Sequence, residues 1–266
     1  MKTLPLKDCL STLPVGYVHK PQEGDQEPII YREFELGPIT GRVRLALGDD
    51  KVRTNLGRQT SELLARTLKH IGEIKGIDAA FVRKLSHIDR EFLGWVHFIN
   101  RMGKRPMVVT QACPECKTEF EVDIDKGMLL VNVLEDTDYE WFEGQRVFVF
   151  SDEEYGTMRV RLLTGHDEER LSPYVERNPE EGGMRTIFNA IYTWNDEKPT
   201  FDQFLDLPEA VLEWVAACMN SLDIGSSQVV NMECPSCYKE FRETISPLAL
   251  LGDLEAKKVL PPYARK

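Results

Sequence analysis

Cys113-Pro114-Glu115-Cys116 and Cys234-Pro235-Ser236-Cys237 stand 121 residues apart, and the sequence around them repeats with them. Aligned at that offset without a gap, Val108 to Ile124 and Val229 to Ile245 share eight identities in seventeen positions: Val108/Val229, Val109/Val230, both cysteines and the proline of each pair, Glu119/Glu240, Phe120/Phe241 and Ile124/Ile245. The pattern predicts an internal duplication in which each copy ends in half of a metal site.

A Cys-x-x-Cys turn aims two thiolates at one ion, and a structural zinc takes four such ligands in a tetrahedron. No histidine follows either pair at ligand spacing: His87 and His97 lie upstream in an expected helix, and His166 in an expected loop. The simplest complete shell is therefore Cys113, Cys116, Cys234 and Cys237 around one Zn2+ per chain, joining the two copies. A redox dithiol, a disulfide and two incomplete sites compete with this reading, as does completion of each shell by a second chain, which would make an obligate oligomer. The flanks Val108-Val109 and Phe120-Glu121-Val122 read as a two-stranded ribbon, not the strand-to-helix junction of a thioredoxin-type dithiol. Cys9 and Cys218 read as buried, inert thiols.

Working outward, each half is expected to begin with a hairpin. In the first, Ile30 to Leu36 and Thr40 to Leu47 flank Gly37-Pro38; in the second, Arg146 to Phe150 leads into Thr157 to Leu163. Arg42-Val43-Arg44-Leu45 matches Arg159-Val160-Arg161-Leu162 at an offset of 117. Apolar residues at three- and four-residue steps predict a helix through Leu64, Leu68 and Ile71 and a longer one from Phe81 to Met102, stopped near Gly103. Their counterparts are Ile187, Ile191 and Trp194, then Leu207 to Leu222 with Pro208 in the first turn. The tryptophans and the Phe81/Phe92 stripe read as core. The fold class is α+β, with two pseudo-symmetric repeats, each a β-hairpin, helices and a zinc-ribbon half. Its divisions are an extended N-terminal segment (1–29), two lobes (30–130 and 131–250) and a tail (251–266).

The net charge of −11 is unevenly spread. Residues 1–130 carry 20 Lys/Arg against 18 Asp/Glu, whereas residues 131–266 carry 13 against 26. The second half should repel phosphate backbones, which weighs against nucleic acid; Arg101, Lys104 and Arg105 form the best local basic cluster. No apolar run reaches the roughly 18 residues that span a bilayer, and no signal-peptide pattern opens the chain, so a soluble, intracellular protein is expected. There is no P-loop, nucleophile elbow or His-Glu-x-x-His, and His19, His70, His87, His97 and His166 lack a spaced catalytic partner. The expectation is no catalytic residue and no enzyme.

Met158-Arg159-Val160-Arg161-Leu162-Leu163-Thr164-Gly165-His166-Asp167-Glu168, the two cysteine pairs and Leu13-Pro14-Val15-Gly16-Tyr17 together resemble the T4-like phage baseplate protein family, which acts in assembly of the baseplate hub of contractile tails. The resemblance implies a non-enzymatic protein of the infected cell's cytoplasm, or of the tail baseplate, that binds hub, baseplate or tape-measure proteins. Many relatives end in an aromatic-rich stretch, whereas this chain ends with Pro261-Pro262-Tyr263 and a short tail. Segments expected to meet such partners are Met1 to Pro28, Arg177 to Gly183 and Leu248 to Lys266. A zinc-ribbon nucleic-acid or transcription-complex adaptor is the alternative, and an enzyme the third reading.

Overall fold

The structure is a computed structural model that describes residues 1–19, 28–103, 107–124, 129–226 and 229–244. It is mixed α/β, with helices and several antiparallel sheets. The chain opens with β1 (Lys2–Pro5), a 3-10 turn over Leu6–Asp8 and β2 (Thr12–His19). Next come β3 (Ile29–Leu36), the helices α1 (Gly41–Leu47), α2 (Asp50–Arg53) and α3 (Leu56–Thr67), then β4 (Leu68–Ile71) and β5 (Ile74–Lys75). Strands β2-β3-β4-β5 form one sheet in that order. A short helix α4 (Ala79–Val82) and a long one, α5 (His87–Met102), lead into the ribbon β6 (Met107–Ala112) and β7 (Glu119–Ile124).

β8 (Leu130–Val133) then returns to pair with β1. The second half runs through β9 (Glu140–Phe142), β10 (Gln145–Asp152) and β11 (Gly156–Val160), α6 (Gly165–Arg177), α7 (Pro179–Ala190) and β12 (Ile191–Trp194). It ends with α8 (Phe201–Leu205), α9 (Glu209–Ser221) and the ribbon β13 (Val229–Glu233) and β14 (Glu240–Thr244). Strands β12-β11-β10-β9 form the second four-stranded sheet.

Several expectations are corrected. Residues 41–47 are a helix, where Thr40 to Leu47 was expected as the second strand of a hairpin. Thr40 is extended and its Oγ1 accepts from the Val43 amide, an N-cap that starts α1 at Gly41, and β3 takes β2 and β4 as neighbours instead. The Arg-Val-Arg-Leu match therefore joins a helix to a strand and does not align equivalent elements. Thr40-Gly41 opens α1 as Thr164-Gly165 opens α6.

The apolar steps Leu64, Leu68, Ile71 and Ile187, Ile191, Trp194 each run from a helix into a strand. A bulge explains the false helical period. Glu35 faces His70 while Leu36 faces Leu68, so Lys69 is extra and both Leu68 and Ile71 turn inward. In the second sheet Arg159 faces Thr193 while Val160 faces Ile191, leaving Tyr192 extra. The long helix expected from Phe81 is interrupted: α4 ends at Val82, and Ser86 caps α5 by accepting from the Asp89 amide. Arg177 to Gly183, expected as a segment that meets partners, is the end of α6 and the start of α7, with Asn178 capping and Pro179 in the first turn. His166 likewise lies in α6, not in a loop.

Residues 1–19, expected as an extended segment outside the lobes, are extended but built into the fold. The Met1 ammonium meets Asp138 at 2.7 Å, and Leu6, Cys9 and Leu13 enter the first core. That core gathers around Phe92, Leu93 and Trp95 of α5 with Leu64, Leu68 and Ile71. A second surrounds Met158, Val160, Phe204 and Val215, with Trp194 and Trp214 at its edge. A small third cluster of Val15, Ile88, Leu134, Phe148 and Ile224 bridges the two halves. Among the described residues, no helix is long and apolar enough to cross a membrane. Lys104, Arg105 and the segment Leu248 to Lys266 lie outside the described residues.

Candidate metal centre and the joint between the lobes

Each ribbon turns through its cysteine pair with the same backbone bonds. Cys113 N donates to Thr118 O at 3.0 Å and Lys117 N to Cys113 O at 3.0 Å; Cys234 N donates to Lys239 O at 3.0 Å and Tyr238 N to Cys234 O at 2.9 Å. Lys117 and Tyr238 adopt left-handed φ of 59° and 58°, bending the chain back beneath the sulfurs. Phe120 and Phe241 meet edge to face between the ribbons at 6.2 Å.

These turns bring together the four cysteines read from the sequence. Cys113 Sγ lies 3.6 Å from Cys237 Sγ, Cys116 Sγ lies 3.6 Å from Cys234 Sγ, and all four sulfurs fall within 4.8 Å of one another. Metal–sulfur bonds of about 2.3 Å in a tetrahedron place sulfurs roughly 3.8 Å apart, so the cluster has the size of one four-thiolate shell. Each first cysteine is buried and each second exposed, and every close contact joins a buried sulfur of one ribbon to an exposed sulfur of the other. All six cysteines are free thiols, with Cys9 and Cys218 buried elsewhere and their thiols pushed up by that burial.

The Cys116 thiol is held down at about 6 by its hydrogen bonds with Thr118. Cys237 is pushed up to about 12: the Lys239 amide pulls it down, but burial and the crowded sulfurs of Cys116, Cys113 and Cys234 outweigh it. Four thiolates cannot share this space without a cation, and the cluster can hold one metal ion. With four protein ligands its shell would be closed, leaving no position for substrate.

A second joint lies between α5 and the start of α6. His87 N donates to Leu163 O at 2.8 Å, Gly165 N to Leu85 O at 3.1 Å and His166 N to Arg83 O at 3.0 Å, three strand-like rungs between lobes. Asp167 caps α6, accepting from the Thr164 amide at 2.9 Å, and pairs with Arg161 at 2.8 Å; despite burial, these contacts hold its carboxyl down at about 2. Beneath it Arg90, fully buried, meets Glu168 at 2.7 Å and donates to Gly57 O at 2.8 Å and Ser61 Oγ at 3.0 Å. Glu169 pairs with Arg83 at 2.8 Å and accepts from Ser61 at 2.6 Å. Gly57 and Gly165 are required here, because a Cβ at Gly57 would press on the Glu168-Glu169 backbone and one at Gly165 would fall on the Arg90 guanidinium.

The Leu13-Gly16 stretch is gripped in the same joint. Asp89, buried on α5, accepts from Val15 N at 2.9 Å, while Arg146 donates to Val15 O and Gly16 O at 2.8 and 2.6 Å, and Arg32 to Pro14 O at 2.7 Å. Sequence reading found the cysteines but missed this cluster. Its members, Arg32, the adjacent Asp89 and Arg90, Arg146 and Glu168, come from four distant parts of the chain, and charge alone marks a residue as surface.

Of the five histidines, His87 lines a cavity of about 250 Å³ between the lobes together with Glu91 and Arg161, and His19 lines a separate, wider cleft. His97 is buried against Thr67 Oγ1 at 2.8 Å, and burial pushes it down to about 4. Burial raises the half-buried Glu91 carboxyl to about 7, with Glu168 adding to the effect. A carboxyl held protonated by the fold stabilises it fully below about 4.5, and this contribution is lost as pH rises through about 7. Glu91→Gln should therefore leave stability near pH 4 unchanged and raise it by about 1–3 kcal/mol at pH 8, measured by urea unfolding at both pH values. An equal effect at the two pH values would remove titration of Glu91 as the cause.

No protein family matches this chain, no curated protein is similar to it at a significant level, and no solved structure matches its fold.

Proposed function

We propose that this chain is a non-enzymatic tail-assembly protein of a contractile-tailed phage, built from two copies of one unit held together by a single structural zinc at Cys113, Cys116, Cys234 and Cys237. It binds hub, baseplate or tape-measure proteins in the cytoplasm of the infected cell or in the tail baseplate. Zinc is the metal because a compact four-thiolate tetrahedron suits it and supports no open coordination position. The duplication is supported by the shared order of elements, by the matching knuckles and by bulges at Lys69 and Tyr192 in corresponding strands.

The observation that carries the assembly reading is where the family-like stretches fall. Leu13 to Tyr17 and Thr164 to Glu168 are the backbone and side chains of the interlobe joint, so the residues that resemble the baseplate family do architectural work. The test is affinity purification of the tagged chain from its producing cells, with nuclease treatment, followed by mass spectrometry. Recovery of tail tube, hub or tape-measure proteins is expected. Recovery of polymerase or nucleic-acid proteins alone, lost on nuclease treatment, would replace this reading with the zinc-ribbon adaptor.

A further inference from the structure

The joint that closes the two lobes has one half in use and one half uncovered. Within the chain, the start of α6 from the second lobe docks on the corner before α5 of the first. Its counterpart elements are α1, which follows Thr40-Gly41 as α6 follows Thr164, and the corner before α9. Gly165 is packed so tightly that a Cβ would strike Arg90, yet a Cβ at Gly41 would meet open space.

The residues at these uncovered positions have changed in a coordinated way. Glu169, fifth in α6, corresponds to Leu45, fifth in α1; Arg83, four before α5, corresponds to Leu205, four before α9. Ser61, which also bonds Glu169, is sixth in α3 and corresponds to Met184, sixth in α7. A polar trio at the joint, with Ser61 buried and Arg83 and Glu169 part-buried, is thus matched by Leu45, Leu205 and Met184. Leu45 is 81% exposed and Leu205 46% exposed, unusual positions for large aliphatic side chains unless something covers them.

The surrounding charges are complementary. Arg42 and Arg44 flank Leu45, both exposed and in no ion pair among the described residues, and the nearby Asp50 is paired with Arg53. Around Leu205 stand Asp202, Asp206 and Glu209, also exposed, in a stretch from 199 to 238 that contains no Lys or Arg. Helix α9 itself is apolar round most of its circumference, yet only Val215 and Cys218 are buried, whereas its counterpart α5 buries residues along most of its length. A helix of that composition is normally covered on all sides.

We infer that a second copy of this chain covers it: α1 of one copy docks on the α8–α9 corner of the next, repeating between chains the contact that α6 makes within one. The inference rests on the duplication proposed above. Because the contact within the chain runs one way, α6 on the α5 corner with no reciprocal contact at the start of α1, its repetition between chains is head-to-tail and generates a ring or an open filament, not a closed twofold dimer. Leu45 meets Leu205, and the Arg42/Arg44 side chains face Asp206 and Glu209.

Sedimentation velocity on the full-length chain from about 1 to about 100 μM tests this. The wild type should show species beyond the dimer that grow with concentration, and Leu45→Glu or Leu205→Arg should each weaken association at least tenfold. Leu45→Glu combined with Leu205→Arg should restore it, since it recreates between chains the carboxylate–guanidinium pair that Glu169 and Arg83 make within one. A wild type that stays monomeric or stops at dimer, single variants that associate normally, or a double variant that fails to recover would each overturn the proposal. Metal content and far-UV circular dichroism read the underlying fold separately. A folded, metal-loaded monomer would defeat the head-to-tail contact alone, and loss of metal or fold in the wild type would implicate the two-lobe reading.

Discussion

Cys116→Ser is expected to purify with well under one metal ion per chain and to unfold roughly 10–15 °C below the wild type. The magnitude follows from what the ion ties together. Each ribbon is a two-stranded sheet, marginal on its own in water, so with an ion in the cysteine cluster its order would rest on that ion and on a few apolar contacts such as Phe120 against Phe241. Structural zinc in finger peptides contributes about 10–16 kcal/mol, but most of that is returned locally as the ribbons melt. The part that reaches the whole chain is the cross-link between Cys113 and Cys237, which closes a long loop; by analogy with a disulfide over about 100 residues this is worth about 4–5 kcal/mol. At about 2–4 °C per kcal/mol for a chain of this size class, the shift is of the order stated. Native mass spectrometry and calorimetry check it, and hydrogen exchange should lose protection in β6–β7 and β13–β14 before the lobe cores. Two ions per wild-type chain, or none, would overturn the shared site; Cys9→Ser should retain the full metal content.

Arg90→Met is the second large effect, an expected loss of about 3–5 kcal/mol with the metal centre intact. The guanidinium is fully buried, and burial weakens its hold on its proton even though Glu168 and Glu169 act to strengthen it. Removing it takes the only ion-pair partner from the part-buried Glu168 carboxylate and one bond each from Ser61 and the Gly57 carbonyl, which keeps its bond from Ser61 Oγ. Stranding costs more than the pair itself contributes, so Arg90→Met with Glu168→Met should recover a substantial part of the loss. Urea unfolding of the two single variants and the double variant measures this coupling. Strictly additive losses would mean that the ion pair does not link the lobes. The pair sits at the joint that the Thr164-Gly165 turn builds, so Arg90→Met should also expose the α3–α6 contact to proteolysis before either core.

The ribbons and the cysteine shell were legible because their determinants are local: a Cys-Pro-x-Cys turn specifies its own bend, and two copies of it specify four ligands. The long helix α5 was legible where its apolar face is continuous, as through Trp95, but its start was not, since the Ser86 cap falls inside the stretch read as one helix from Phe81. The strands β4 and β12 were not legible. A bulge residue, Lys69 or Tyr192, shifts the side-chain phase by one and gives a strand the spacing of a helix, and that bulge exists only because a neighbouring strand is there to pair with. The Arg-Val-Arg-Leu likeness misled for a related reason. Its alternation fits a strand, but in residues 42–45 the Thr40 cap and a neighbour-free edge leave helix as the better way to satisfy the backbone.

The sequence by itself determined that the chain carries two metal-knuckle halves, that helices and antiparallel strands accompany each, and that the second half is acidic. Only tertiary structure decided that all four thiols converge, that residues 1–19 are woven into the sheets, and that Asp89 and Arg90 are interior with Arg146 and Glu168 part-buried beside them. The difference is physical. A turn or a cap is fixed by bonds within a few residues, whereas burying a charge is tolerable only where partners from distant parts of the chain arrive to meet it.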